Sequence, residues 1–156
     1  MLKKDLIRKK ILKIRRKKYF QVNSNFFNPL NSYLKKKYKS KSLFLSLYYP
    51  SNYEVDVLRL LEIVNNKKIK TLLPVVKPKE KMNFIEWKLL DPLRVNNFGM
   101  LEPNLNGRFL IPDIMLVPLI AFDTTKNRLG YGKGFYDRFL NRFLKQKKNI
   151  TTIGIA

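Results

Sequence analysis

The sequence predicts one α/β domain, a mostly parallel sheet flanked by helices, and three observations carry that reading. Short apolar runs at Ser42–Tyr48, Lys70–Val76, Asp113–Pro118 and Thr151–Ala156 read as strands, with helical apolar spacings between them. From Ser42 to Val76 the order strand, loop, helix, strand makes a βαβ unit, and parallel neighbours need such a crossover. Three of the 6 glycines, Gly130, Gly132 and Gly134, sit between a strand and an amphipathic helix. That junction suits an anion, because backbone amides and the positive end of the helix dipole point into it.

At 156 residues with 45% apolar content the chain is long enough for one domain with its own core, and neither a repeat nor a linker divides it. Taken in order, residues 2–20 form an amphipathic helix with Ile7, Ile11 and Ile14 on one stripe and Leu2, Leu6 and Leu12 nearby. Lys4 and Arg8 lie one turn apart on it, close enough to reach one anion or simply to be a solvated face. Asn23–Lys37 is a second helix, interrupted or capped at Asn28-Pro29. After the strand Ser42–Tyr48, a loop leads to Glu54, which either faces a ligand at the carboxyl end of the strand or complements the next helix dipole. That helix carries Val57, Leu58, Leu60, Leu61 and Val64 and ends near Asn65-Asn66.

Pro74 marks the end of the strand Lys70–Val76 or places it at an edge. Asn83–Leu90 reads as a strand or hairpin arm. Arg94–Asn106 is a loop, a candidate lid or pocket wall. Asp113–Pro118 is a central strand by its apolar run, Leu119–Phe122 continues toward Asp123, and a turn at Thr125–Asn127 precedes the glycine loop. Phe135, Phe139, Leu140, Phe143 and Leu144 then give helical spacing from Gly134 to about Lys147.

Composition excludes several chemistries. With no cysteine and no histidine there is no disulfide framework, no Cys- or His-ligated zinc, and no Ser-His or Cys-His nucleophile. Chemistry must rest on carboxylates, cations, backbone amides and a bound metal or nucleotide. Lys and Arg number 33 against 11 Asp and Glu, a formal net of +22, and no acid lies between Asp5 and Glu54. Such an excess raises nucleic acid as a partner. Abundant Lys, Asn, Ile, Phe and Tyr, with alanine only at Ala121 and Ala156, equally fit an A/T-rich coding sequence. No apolar run approaches a membrane span, so neither a membrane nor a secretory route is expected, and the location expected is the cytoplasm.

The glycine loop fails the P-loop pattern, because Gly134 rather than Ser or Thr follows Lys133. It fails the dinucleotide fingerprint too, since no acid follows Asp137. A structural tight turn remains an alternative. Arg128 and Lys133 nevertheless supply cations, and Asp137 in the first helical turn is placed to hold magnesium beside a nucleotide.

Val117-Pro118-Leu119-Ile120-Ala121-Phe122-Asp123 followed by Asn127-Arg128-Leu129-Gly130-Tyr131-Gly132-Lys133-Gly134-Phe135-Tyr136-Asp137-Arg138 resembles the signature of the 5-formyltetrahydrofolate cyclo-ligase family, also called methenyltetrahydrofolate synthetases. Lys4-Asp5-Leu6-Ile7-Arg8 is similar to that family's KxxLR start, and Phe98-Gly99 with Glu102-Pro103 to its FGxxEP loop. The resemblance implies a fold of the sugar-phosphate isomerase and CoA transferase type. It implies ATP-dependent closure of 5-formyltetrahydrofolate to 5,10-methenyltetrahydrofolate with release of ADP and phosphate.

By the same resemblance, Lys4, Asp5, Leu6, Ile7 and Arg8 bind ATP together with Arg128, Leu129, Gly130, Tyr131, Gly132, Lys133, Gly134, Phe135 and Tyr136. Arg128 and Lys133 are the implied catalytic cations, and Asp137 the implied magnesium ligand. The folate falls to Arg8, Glu54, Phe98 and the run Tyr131 to Phe135. A polyglutamate tail on it would suit the basic surface, and a monomer is expected. The family's second magnesium-binding acid lies in a C-terminal segment beyond Ala156; for a chain that ends there, weakened magnesium-nucleotide binding and an exposed sheet edge are expected. A basic nucleic-acid-binding protein and an inactive remnant of the enzyme are the alternatives.

Overall fold

The computed structural model describes residues 2–38, 42–64, 67–77, 81–144 and 149–156. Three α-helices, α1 (Leu2–Lys18), α2 (Asn28–Lys37) and α3 (Phe135–Leu144), accompany two 3₁₀ segments at Ser24–Phe27 and Val57–Glu62. A six-stranded sheet has β1 (Leu43–Ser46), β2 (Ile69–Lys77), β3 (Lys81–Glu86), β6 (Phe109–Leu110), β7 (Ile114–Pro118) and β10 (Thr151–Ile155) in the order β10-β7-β1-β2-β3-β6. Two small ribbons, β4 (Leu93–Val95) with β5 (Leu101–Pro103) and β8 (Ala121–Phe122) with β9 (Arg128–Leu129), stand apart from it. Of the pairings in the main sheet, β10-β7, β7-β1 and β1-β2 are parallel, while β2-β3 and β3-β6 are antiparallel. The sheet is mixed, with its parallel part where the predicted strands lie.

Period-two alternation explains the layers. Leu43, Leu45 and Leu47 on and just past β1, Leu73 on β2 and Ile114 and Leu116 on β7 share a cluster with Phe27, Leu34, Val57 and Leu60. Leu72, Met115 and Val117 point the other way and meet Phe135, Phe139 and Phe143. The phenylalanines sit at i, i+4 and i+8 of α3, one stripe laid on the sheet. Helical layers therefore cover both faces of the parallel strands, which is why those strands read as nearly continuous apolar runs.

The second predicted helix is divided at the foreseen place. Asn23 caps the 3₁₀ turn by accepting from the Asn25 amide at 3.1 Å, and Pro29 in the first turn starts α2. The predicted helix after Glu54 is instead the 3₁₀ segment Val57–Glu62. Its two fully buried residues, Val57 and Leu60, are three apart, and a 3₁₀ turn stacks i and i+3 on one side. The expected helix end at Asn65-Asn66 and the last positions to Lys147 lie outside the described residues.

Two expectations are corrected. Pro74 neither ends β2 nor lies on an edge strand; it is interior and faces Phe84 of β3. The Leu47 amide bonds Leu72 O at 2.9 Å, and β1 has no pairing with β2 beyond it. The Val76 amide, two residues after Pro74 and so on the same side, turns away from β3 to Glu102 Oε2 at 2.8 Å. Proline thus sits where no strand waits for an N–H. On α1, the stripe turned to the protein is not Ile7, Ile11 and Ile14: Ile7 and Ile14 are 41% and 44% exposed and Leu6 65%. The partly buried residues are Arg8, Ile11, Leu12 and Arg15, which are also at helical spacing.

The segment Arg94–Asn106, expected as a loop, instead carries most of the β4-β5 hairpin, which starts at Leu93 and is pinned by Glu102, 1% exposed. Its carboxylate accepts from the Val76 amide and from Asn96 Nδ2, both at 2.8 Å, and from Arg94 Nη2 at 2.5 Å. Glu102→Ala leaves two of those donors in the interior without an acceptor and is expected to lower stability by about 1–3 kcal/mol. A urea midpoint equal to that of the parent protein would contradict the pinning role.

Candidate functional site

A cavity of about 400 Å³ opens at the carboxyl ends of the parallel strands. Its floor includes Pro74, Val76 and Val117, at positions beyond the last residue of β1. That is where a doubly wound sheet places a ligand.

The glycine loop forms one wall. Gly132 and Gly134 have φ of +99° and +66°, values that side-chain-bearing residues adopt at a cost, and α3 begins at the next residue. Arg8 Nε donates to Gly130 O at 2.8 Å, and Asp5 Oδ1 receives Arg8 Nη1 at 2.5 Å, so the acid aims the arginine. The turn before the loop is organised by Asp123, whose Oδ1 accepts from the Thr125 and Asn127 amides at 3.0 and 2.8 Å. Those bonds hold its carboxyl below the ordinary carboxylate range, the Thr125 hydroxyl first among them. The β8-β9 ribbon thereby delivers Arg128 to the cavity, where Nη2 pairs with Asp137 Oδ1.

Opposite lies Glu54, 7% exposed. Its backbone N–H donates to Ser51 O and its Oε2 accepts from the Ser51 amide, both at 2.8 Å. Between them Asn52 and Tyr53 have φ of +48° and +63°. Left-handed backbone at two consecutive non-glycine residues costs about 1–3 kcal/mol each and marks functional segments. The cap of the 3₁₀ segment is Asp56, which accepts from the Leu58 amide at 3.1 Å, so Glu54 is not the dipole complement. Burial raises the Glu54 carboxyl above its ordinary range, opposed by the Ser51 amide and then by Tyr131 and Arg15. Burial likewise raises the hydroxyls of Tyr48, Tyr131 and Tyr136, which stay neutral donors.

Phe98 of the β4-β5 hairpin closes the third side. It meets Phe135 edge-on with centroids 5.3 Å apart, and Lys133 Nζ lies 5.3 Å from its ring centroid. Lys4, Arg8, Glu54, Phe98 and the whole run Arg128 to Asp137 therefore border one space. Leu6 and Ile7 are exposed and do not border it, and Asp5 reaches it only through Arg8. Arg15 and Glu102 are the residues sequence reasoning gave no role. Arg15 is two turns from Arg8 on the same face, and that spacing is the signal that finds it.

A family model described as the 5-formyltetrahydrofolate cyclo-ligase family matches residues 1–156. The chain belongs to that family. The cyclo-ligase of Haemophilus influenzae is 35% identical over 118 residues, 72% of this chain and 62% of that one. The cyclo-ligase of Mycoplasma genitalium is 34% identical over 113 residues, 72% and 58% of the two chains. The chain thus spans less than two thirds of these relatives. Among solved structures, the 5,10-methenyltetrahydrofolate synthetase of Aquifex aeolicus superposes with a TM-score of 0.67 at 32% identity, over 100% of this chain and 78% of that one. The synthetase of Mycoplasma pneumoniae gives 0.66 at 25% identity, over 92% and 80%. The α/β fold is that of these cyclo-ligase relatives, and the nucleic-acid alternative is not favoured.

A titration follows from the raised Glu54 carboxyl. A folded-state value above the unfolded one contributes stability that is full below the ordinary glutamate range and is lost as pH rises through the folded value. Glu54→Gln is accordingly expected to melt above the parent protein near neutral pH, with the difference vanishing at about pH 4. Paired thermal melts across that range check it; a variant destabilised at neutral pH but not in acid has the wrong sign.

Proposed function

We propose that the chain, folded as one cyclo-ligase domain and acting as a monomer in the cytoplasm, closes 5-formyltetrahydrofolate to 5,10-methenyltetrahydrofolate at the expense of ATP. The observation that supports this most is that one cavity is walled both by a phosphate-type loop and by a buried carboxylate with an aromatic ring. Such a space fits a triphosphate and a heterocycle side by side.

The nucleotide phosphates would lie against the loop and the start of α3, where Gly132 and Gly134 shape the backbone and Arg8, Lys4, Arg128 and Lys133 supply positive charge. Phe98 and Phe135 give flat apolar surface for the folate rings, and Glu54 accepts from their ring N–H donors. The formyl oxygen attacks the γ-phosphorus and ADP leaves. The neighbouring folate amine then attacks the activated formyl carbon and loses its proton, and phosphate departs with the former formyl oxygen. Both steps need alignment and charge neutralisation more than a proton relay, so a site without histidine or cysteine suffices. The surplus of surface cations suits polyglutamylated folates as substrates.

Among the described residues no three carboxylates or other metal-binding side chains converge. Asp137 alone fits magnesium in the way the ion prefers, as one carboxylate completed by phosphate oxygens and water. Held there, the ion would supply positive charge that neutralises the nucleotide phosphates. Asp137 already holds Arg128, so it positions a cation at the phosphates in either case.

The decisive assay mixes purified protein, ATP, magnesium and 5-formyltetrahydrofolate and follows absorbance of the methenyl product. If neither this chain nor one extended to its relatives' full length forms product, the reading is wrong. Within it, Asp137→Ala is expected to raise the magnesium concentration needed for half-maximal rate about tenfold or more. An unchanged magnesium requirement would remove Asp137 from that role.

A further inference from the structure

We infer that Arg15 of α1 is a positioning residue for the carboxylate of Glu54, acting through the hydroxyl of Tyr131. Arg15 Nη1 donates to Tyr131 Oη at 3.1 Å, while Nη2 donates to Leu119 O and Ile120 O at 2.9 and 3.1 Å. An arginine has no acceptor, so the tyrosine oxygen receives the bond and its single proton is left for another partner. Tyr131 and Glu54 border the same cavity, and the Glu54 carboxylate is the acceptor assigned to that proton. The chain Arg15, Tyr131, Glu54 thus runs from α1 through the centre of the glycine loop to the buried acid.

The two carbonyls matter because they fix Arg15 from its other side. Leu119 and Ile120 lie where the chain leaves β7, and a guanidinium fork held on two main-chain oxygens has little freedom left when it meets Tyr131. Tyr53, next to Glu54, stacks edge-on with Tyr19 just past the end of α1, with centroids 5.6 Å apart. Helix α1 and the residue that follows it therefore touch both the loop side and the Glu54 side of the cavity.

The consequence is electrostatic as well as steric. Glu54 faces Tyr48 next to β1, Ser51 in its own loop, Tyr131 in the glycine loop, Tyr136 on α3 and Arg15 on α1, with Arg128 beside Tyr136, while Lys4, Arg8, Lys133 and Asp137 border the same cavity. After the Ser51 and Tyr131 bonds, Arg15 adds the pull of a cation, and together with the Tyr131 proton it favours the ionised carboxylate against the cost of burial. An ionised Glu54 is the form that accepts two N–H donors of a heterocycle.

This rests on the folate reading only for its last step, so the test is built in two parts. With carboxyl-labelled glutamate, carbon NMR follows the Glu54 resonance, identified by its loss in Glu54→Gln. In Arg15→Gln the Glu54 titration is expected to move to higher pH. It should also move up in Tyr131→Phe, which keeps the two carbonyl bonds and so covers failure of the arginine variant to fold. In the double variant the shift should be less than the sum. Separately, Arg15→Gln should weaken 5-formyltetrahydrofolate binding on the order of tenfold at neutral pH, with less loss in Arg15→Lys. Lower melting temperatures with an unmoved Glu54 titration in both variants would make Arg15 a mere tether and overturn the inference. A shifted titration in a protein that does not bind the folate at all would refute the folate reading and leave the relay standing.

Discussion

The site exists because β1 stops early. It is a central strand of the sheet, yet it ends at Ser46, while its neighbours run on to Lys77 and Pro118. Past that point β2 and β7 are parted by the width of a missing strand, and the cavity occupies the gap. Backbone groups exposed there must be satisfied some other way. Pro74 has no amide to satisfy, the Val76 amide is taken by Glu102, and the chain leaving β1 turns aside at Pro50 and the left-handed pair Asn52 and Tyr53 to bring Glu54 back over the opening. The cavity wall is therefore built from groups that also close the open end of the sheet.

The same accounting explains α1. A helix that leaves Leu6 mostly and Ile7 and Ile14 partly in solvent gains only part of its apolar burial, so its position rests heavily on polar contacts. Once the chain leaves β7, the Leu119 and Ile120 carbonyls and, further on, that of Gly130 accept bonds from Arg15 and Arg8. These arginines stand in for strand neighbours. Hydrogen bonds from a charged donor to a half-buried carbonyl are worth more than neutral ones, and a forked guanidinium constrains direction as lysine would not. Docking α1 and shaping the glycine loop are one event.

Much of this was legible in the residues. Apolar alternation marked the central strands, the Phe135, Phe139, Phe143 stripe marked α3, and spacing of glycines before a helix marked the loop. What stayed hidden depended on where a strand ends relative to its neighbour. Pro74 read as a terminator because proline cannot donate to a ladder; nothing local to Lys70–Val76 reveals that β1 has already ended alongside it. Arg15 stayed hidden because an apolar-stripe search discards arginine from an inward face, although its partners there are carbonyls rather than oil. The Val57–Glu62 turn was missed since i, i+3 spacing satisfies both α and 3₁₀ geometry until packing chooses.

The surplus of positive charge can be divided on the same grounds. With 33 Lys and Arg against 11 acids, most cations cannot have a carboxylate partner. Apart from Lys4 at the cavity and Lys37, which bonds the Tyr33 and Thr151 hydroxyls, the lysines of α1 and of the last turn of α2 lie exposed, which fits a compositional origin. Arginines behave differently: Arg8, Arg15, Arg138 and Arg142 each donate to a main-chain oxygen, Arg142 reaching Met82 O at 3.3 Å across the α3-β3 contact. A biased coding sequence supplies lysine cheaply, but it does not place a planar fork opposite an unpaired carbonyl. Beside Lys4 and Lys133 at the cavity, the informative cations in a chain this basic are these four arginines, and they lie at the loop, α3 and the open end of the sheet.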